Sequence, residues 1–197
     1  MTIIDAMLDR VHTPALRAYL EQIDAVRLGA RALVEDLTAG QFVWRPDPRR
    51  WSIGQCIEHI TRTVQLYPAK IETMLVEARA RKQRGELPYR EGFVSRLFVS
   101  GMEPPPRMRV RTMRRVEPPV QLDRQVVMSD FERALDRFAE LIVSADGVSL
   151  RHARMPSPFA PIFKFTLGQV FAMNLAHARR HLWQARQVRK EPGFPAG

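Results

Sequence analysis

The sequence predicts an all-α protein, a four-helix bundle with a long irregular crossover between its second and third helices. Three observations predict it. Four stretches carry apolar residues at helical spacing. Start signals of the cap or proline type stand before these stretches. Proline clusters at 104–106 and 118–119 forbid a continuous helix between the second stretch and the third.

The first helix begins at Thr13-Pro14, an N-cap followed by proline at the first helical position. Leu16, Tyr19, Leu20, Ile23, Val26, Ala30, Leu33, Val34 and Leu37 then form one apolar stripe, which runs until Gly40. The segment 42–50, with Pro46 and Pro48, reads as a loop. The second helix starts at Ser52 and buries Cys56, Ile57, Ile60, Val64, Tyr67, Ile71, Met74 and Leu75 on its way to Arg84 and Gly85, with a kink at Pro68. Residues 85–128 form the crossover, in which 107–111 alternates arginine with apolar residues like an extended strip on a surface. The third helix starts at the capping box Ser129-x-x-Glu132, carries Phe131, Leu135, Phe138, Leu141 and Ile142, and stops near Gly147. Residues 155–165 read as a loop packed on the body. The fourth helix opens at Thr166 and ends at Glu191-Pro192-Gly193.

A chain of 197 residues fits a single domain over 1–197, and 45% hydrophobic with 26% charged residues is the balance of an ordinary soluble globular protein. One cysteine, Cys56, excludes an internal disulfide and suits a reducing compartment. The first turns hold Asp5, Asp9 and Arg10 and no apolar run, and no stretch reaches the length of a membrane span, so a cytoplasmic location is expected. The net charge is +10, from 31 Lys and Arg against 21 Asp and Glu, with arginine far in excess of lysine. Such a surplus allows an acidic partner, although arginine spread along the whole chain also describes a solvated basic surface.

Two short phrases rhyme. Trp51-Ser52-Ile53-Gly54-Gln55 leads to His59, and Phe165-Thr166-Leu167-Gly168-Gln169 leads to His177 and His181. In each, an aromatic residue precedes a hydroxyl N-cap, and glutamine follows three positions after the cap, the capping-box pattern. His177 and His181 are one turn apart, about 40° around the helix axis, so their rings share a face. Residues 178–180 are Ala-Arg-Arg, which leaves no glutamate in the position that zinc proteases use. In an alternating up-down bundle the second and fourth helices run parallel, and matched caps then bring His59 to the pair. Three neutral imidazoles with room for a further ligand outline a catalytic divalent-metal site. Gln55, Cys56, Asn174 and Gln184 lie on the same faces and are candidates to orient the imidazoles or a bound water, with Cys56 an additional candidate ligand. His12 and His152 fall in cap or loop regions and need no role.

Trp51-Ser52-x-Gly54-Gln55-x-x-x-His59, together with a C-terminal Leu-Gly-Gln helix carrying His177-x-x-x-His181, resembles the DinB/YfiT-like superfamily of bacterial proteins over nearly the whole chain. The resemblance implies an up-down-down-up order of helices rather than an alternating one. It implies that His59, His177 and His181 bind a divalent metal, usually zinc or nickel. It implies chemistry on a small-molecule substrate, either transfer or isomerisation with a low-molecular-weight thiol or metal-dependent hydrolysis, and it suggests a homodimer.

Three other readings compete. Arg107, Arg109, Arg111 and Arg180 are candidates to clamp an acidic substrate, against the plainer reading of surface arginines. A nucleic-acid or anion-binding module would use the basic strip 107–115, but that strip interleaves Met108, Val110 and Met113 rather than stacking aromatics, and its proline flanks oppose a recognition helix. A metal that only fixes helix packing would make the bundle structural.

Overall fold

A computed structural model of the chain describes residues 3–85, 88–90, 92–105, 112–160 and 162–196. A short helix α1 (Ile3–Leu8) precedes α2 (Pro14–Val34), the one-turn α3 (Ala39–Val43), α4 (Ile53–Val64) and α5 (Pro68–Ala80). Then come α6 (Phe93–Met102), a 3₁₀ turn at Arg114–Val116, α7 (Arg124–Ser144), the strands β1 (Arg154–Pro156) and β2 (Lys164–Thr166), and α8 (Leu167–Arg189). The expected four-helix bundle is formed by α2, α4 with α5, α7 and α8. Its core joins Leu20 and Ile23 of α2, Ile57 and Ile60 of α4, Phe131 and Phe138 of α7, and Val170 and Phe171 of α8.

Contacts at the bundle ends fix the direction of each helix. Thr13, the cap of α2, donates through its backbone N–H to Asp146 Oδ1 at 3.1 Å, just beyond the end of α7. Gly168 N–H donates to Leu150 O at 3.0 Å, and Arg84 bridges Val148, so α8 begins and α5 finishes at that same end. At the other end Arg124 at the start of α7 donates to Leu37 O, Arg189 at the end of α8 donates to Leu33 O, and Arg50 just before α4 pairs with Glu191 just after α8. The order is therefore up-down-down-up. The second and fourth long elements run antiparallel, and the alternating order is corrected. Helix caps are local and carry no information about which end of a neighbour they meet.

Four local expectations change for identifiable reasons. The apolar stripe of the first helix continues past its end: α2 stops at Val34, and Thr38 with Gln41 forms a capping box of its own that starts α3. Pro68 does more than kink the second helix. Lacking an N–H, it opens α5 as a new helix after the turn at Gln65–Tyr67. The third helix is capped six residues before Ser129, because Asp123 Oδ1 accepts from Val126 N–H at 2.9 Å. Glu132 then faces α2 instead of its own helix end, where Arg27 (2.5 Å) and Arg31 (2.6 Å) reach it, and Arg27 also reaches Asp136 at 2.6 Å. Finally, the crossover contains α6, and the stretch before α8 is an antiparallel hairpin pairing Met155 with Phe165. The strip 107–111 lies outside the described residues.

Both rhyming phrases are capping boxes, with Ser52 Oγ accepting from Gln55 N–H and Thr166 Oγ1 from Gln169 N–H at 3.1 and 3.2 Å. Their glycines have a separate cause. A Cβ on Gly54 would overlap the ring of Phe42, and one on Gly168 would overlap the Tyr89 phenol. Phe42 is fully buried and has nowhere to go, whereas Tyr89 is only half-buried and its ring has room to swing outward. Gly54→Ala is expected to lower unfolding free energy by about 1–2 kcal/mol, the overpacking loss outweighing the gain in helix propensity. Gly168→Ala is expected to lose less than half as much. Urea unfolding of the two variants measures the difference, and equal losses would disprove the account.

Candidate metal centre

The α4–α8 seam positions the three histidines. Ser52 starts α4 at the end of the bundle where α8 stops, so His59 lies about 10 Å in from that end. His181 and His177 lie about 12 and 18 Å back from Arg189 on the antiparallel helix. The three therefore meet because one is counted from a helix start and two from a helix end, not because they lie equally far from matched caps.

Their Nε2 atoms converge. His177 Nε2 is 3.3 Å from His59 Nε2 and 3.1 Å from His181 Nε2, and the ligating atoms of all three lie within 4.8 Å of one another. Nitrogens bound to one zinc at about 2.0–2.1 Å stand roughly 3.3 Å apart in a tetrahedron, so these separations fit the edge of such a site. The remaining ring nitrogens are held outward. His59 Nδ1 is 2.8 Å from Val116 O, which can only accept, so Nδ1 carries the proton and Nε2 keeps its lone pair. His181 Nδ1 is likewise 3.0 Å from Gln184 Oε1. The outer hydrogen bonds thus select, in His59 and His181, the tautomer that a metal needs.

Electrostatics agree with neutral rings. His59 and His181 are buried, and His177 is the half-buried member, yet its ring centre lies 5.0 Å from that of His59 and 4.4 Å from that of His181. Burial, with help from His59 and Arg180, pushes His177 down to about 3. Burial also lowers His59, against the opposing Val116 hydrogen bond. His181 falls well below the ordinary value through burial and its two histidine neighbours. No carboxylate belongs to the cluster among the described residues.

The other sequence candidates divide. Gln184 reaches His181 as described. Gln55 closes the Ser52 capping box with its Oε1 and donates to Pro119 O at 3.2 Å, so it braces the crossover rather than an imidazole. Cys56 is fully buried in the apolar core, outside the cluster, and burial raises its thiol far above the usual value. Asn174 donates to Val170 O at 2.8 Å and makes no bond to a histidine. Arg180 lies close enough to depress both His177 and His181. Arg107, Arg109 and Arg111 lie outside the described residues, while Arg115 donates to Pro158 O and stands 5.0 Å over the Phe159 ring.

Two contributors escape the sequence. Trp51 packs its indole 4.7 Å from the His59 ring and 5.7 Å from the His181 ring, and its signal was the aromatic that precedes the cap. The Val116 carbonyl has no side-chain signature at all.

A family model described as the DinB superfamily matches residues 22–185, which include all three histidines. The chain belongs to the DinB superfamily. No curated protein and no solved structure matches it. One feature of this DinB protein lies apart from the cluster. A cleft of about 610 Å³ opens where α2 begins, but no histidine of the cluster lines it, and the Asp146 at its wall is committed to capping α2. Among the described residues no helix is long and apolar enough to cross a membrane.

The lowered histidines fix the sign of a pH effect. Their folded-state values lie below the ordinary 6.5, so the unfolded chain takes up protons first as pH falls. The stabilisation is complete above about pH 6.5 and is lost progressively as pH falls toward 3. In metal-free protein, His177→Gln is expected to make stability fall less steeply between pH 6 and 4, by up to about 1.4 kcal/mol per pH unit. Chemical unfolding in chelator at fixed ionic strength measures both slopes, and identical slopes would refute the assignment.

Proposed function

We propose that His59, His177 and His181 bind one divalent metal ion, zinc or nickel, and that the protein is a metal-dependent enzyme acting on a small molecule by thiol transfer or hydrolysis. The observation that carries this reading is the convergence of three Nε2 atoms, two of which keep their lone pairs because Val116 O and Gln184 Oε1 hold the proton on Nδ1. A divalent ion held by three neutral ligands keeps its full charge and acidifies a water or thiol placed against it.

The chain's own residues divide the remaining work. Trp51 covers the His59 and His181 rings with an apolar face and keeps water from that side. Arg180 adds positive potential at His177, which favours an anionic nucleophile or substrate there. The protein has one cysteine, and it is buried in the core, so a thiol taking part in the reaction comes from a second small molecule. Glu58 pairs with Arg62 at 2.6 Å and is not poised at the cluster as a base.

Untagged protein dialysed against zinc is expected to retain one equivalent. Saturation at about a thousand times the dissociation constant raises stability by about 4 kcal/mol. His177→Ala is expected to abolish stoichiometric binding, and Gln184→Leu to weaken it by about 10–100-fold. Elemental analysis and calorimetry read these outcomes; protein that holds no stoichiometric zinc or nickel and gains no stability from either would end the proposal. Chelation separates this reading from a purely structural metal. The bundle core is apolar and independent of the histidines, so helix content is expected to survive metal removal.

A further inference from the structure

Away from Trp51, toward the end of the bundle where α5 finishes, the seam between α4 and α8 remains polar. Thr63 follows His59 by one turn on α4, Tyr67 follows Thr63 by four residues, and Asn174 precedes His177 by one turn on α8. Thr63, Tyr67 and Asn174 are only 3–4% exposed. Thr63 Oγ1 and Asn174 Oδ1 are buried with no hydrogen-bond partner, a state shared among the described residues only by Arg27 Nε. Thr61, on the same helix, shows the ordinary alternative by donating to Ile57 O at 3.2 Å. An unmade hydrogen bond on a buried polar atom is unfavourable, and two of them flank one histidine cluster.

The geometry also says what is missing. Asn174 Nδ2 is committed to Val170 O, so the amide is fixed in orientation and its Oδ1 requires a donor. The Asn174 side chain hydrogen-bonds the Tyr67 phenol oxygen, which leaves Oδ1 itself without a partner, and the Arg115 guanidinium acts on the same phenol. Burial pushes Tyr67 up to about 12, which keeps its O–H available as a donor at neutral pH. Arg115 is held there by Pro158 O and the Phe159 ring. A cation in this space would meet Arg115, and a carboxylate would meet the Asn174 acceptor. An uncharged group that both donates and accepts meets neither obstacle.

We propose that Asn174, Tyr67 and Thr63 form a substrate subsite beside the three-histidine cluster that takes an uncharged donor–acceptor group, a hydroxyl or an amide, adjacent to the reacting atom. The inference rests on the metal-site reading above, because the cluster is what anchors the other end of the substrate. It adds a specificity element that the cluster itself does not supply, since a hydrogen-bonding site rejects an analogue lacking the matching group far more strongly than an apolar wall does.

The test titrates zinc-loaded protein with four thiols of similar size: propane-1-thiol, 2-mercaptoethanol, mercaptoacetamide and mercaptoacetate. The thiol end of each probe addresses the metal, and the other end samples the subsite. At least one of 2-mercaptoethanol and mercaptoacetamide is expected to bind about tenfold or more tighter than propane-1-thiol, and the better of the two tells hydroxyl from amide. Mercaptoacetate is expected to gain no such advantage. Asn174→Leu and Tyr67→Phe are each expected to reduce the advantage to below about threefold while leaving propane-1-thiol affinity unchanged. Removal of an unpaired buried acceptor in favour of an apolar side chain of similar size preserves the fold, and Tyr67→Phe deletes a single hydroxyl. Equal affinity of all four thiols, as for a space that holds only water, would overturn the subsite, as would tightest binding of mercaptoacetate, an advantage that survives both substitutions, or zinc-loaded protein that binds no thiol. In each of those results zinc remains bound and the metal reading stands. Protein that retains no zinc before the titration overturns both.

Discussion

Three imidazoles packed against one another in a protein interior must all be neutral, and the rest of the site follows from that constraint. Burial disfavours a proton on each ring, and on His177 and His181 neighbouring imidazoles and the positive potential of Arg180 oppose it as well. A carboxylate near the cluster would favour such a proton, and the described cluster contains none. Neutral rings still have one N–H each. Val116 O and Gln184 Oε1 accept two of these protons on the outer side, and the lone pairs are left pointing inward. The antiparallel crossing of α4 and α8 and the return of the crossover to place Val116 all serve that arrangement.

The frame and the site were unequally legible in the sequence. Ser52 with Gln55 and Thr166 with Gln169 could be read because a capping box is side-chain chemistry at fixed spacing. The start of α7 was misplaced because Asp123 caps alone, with Val126 where a capping box has Glu or Gln, while Ser129-x-x-Glu132 imitates a box inside the helix. Pro68 was visible as an interruption, but whether proline kinks a helix or opens a new one depends on how the preceding turn folds. Helix α6 went unread because Phe93 and Leu97 stay exposed, so its apolar residues do not trace a buried stripe.

At the site, His59, His177 and His181 could be named from spacing and family resemblance, yet the direction of approach could not. Gln184 was found because it stands one turn from His181 on the same helix. Asn174 was found for the same reason, but its neighbours Tyr67 and Arg115 come from elsewhere in the chain, and no periodicity connects them. Trp51 shows the limit most clearly: its position before a cap was evident, whereas its packing against two histidines depends on the full tertiary arrangement.

The brace on His59 is a main-chain carbonyl, and this has an evolutionary consequence. Every amino acid supplies the same carbonyl, so substitution at 116 by any apolar residue that fits the buried space leaves the brace intact. Neighbouring Arg115, by contrast, contributes through its side chain and reaches the Phe159 ring and Pro158. Selection can therefore rewrite the side chains of the crossover, and with them what the seam recognises, without disturbing the ring orientation beneath. A bundle built this way can diversify its substrates while inheriting an unchanged centre.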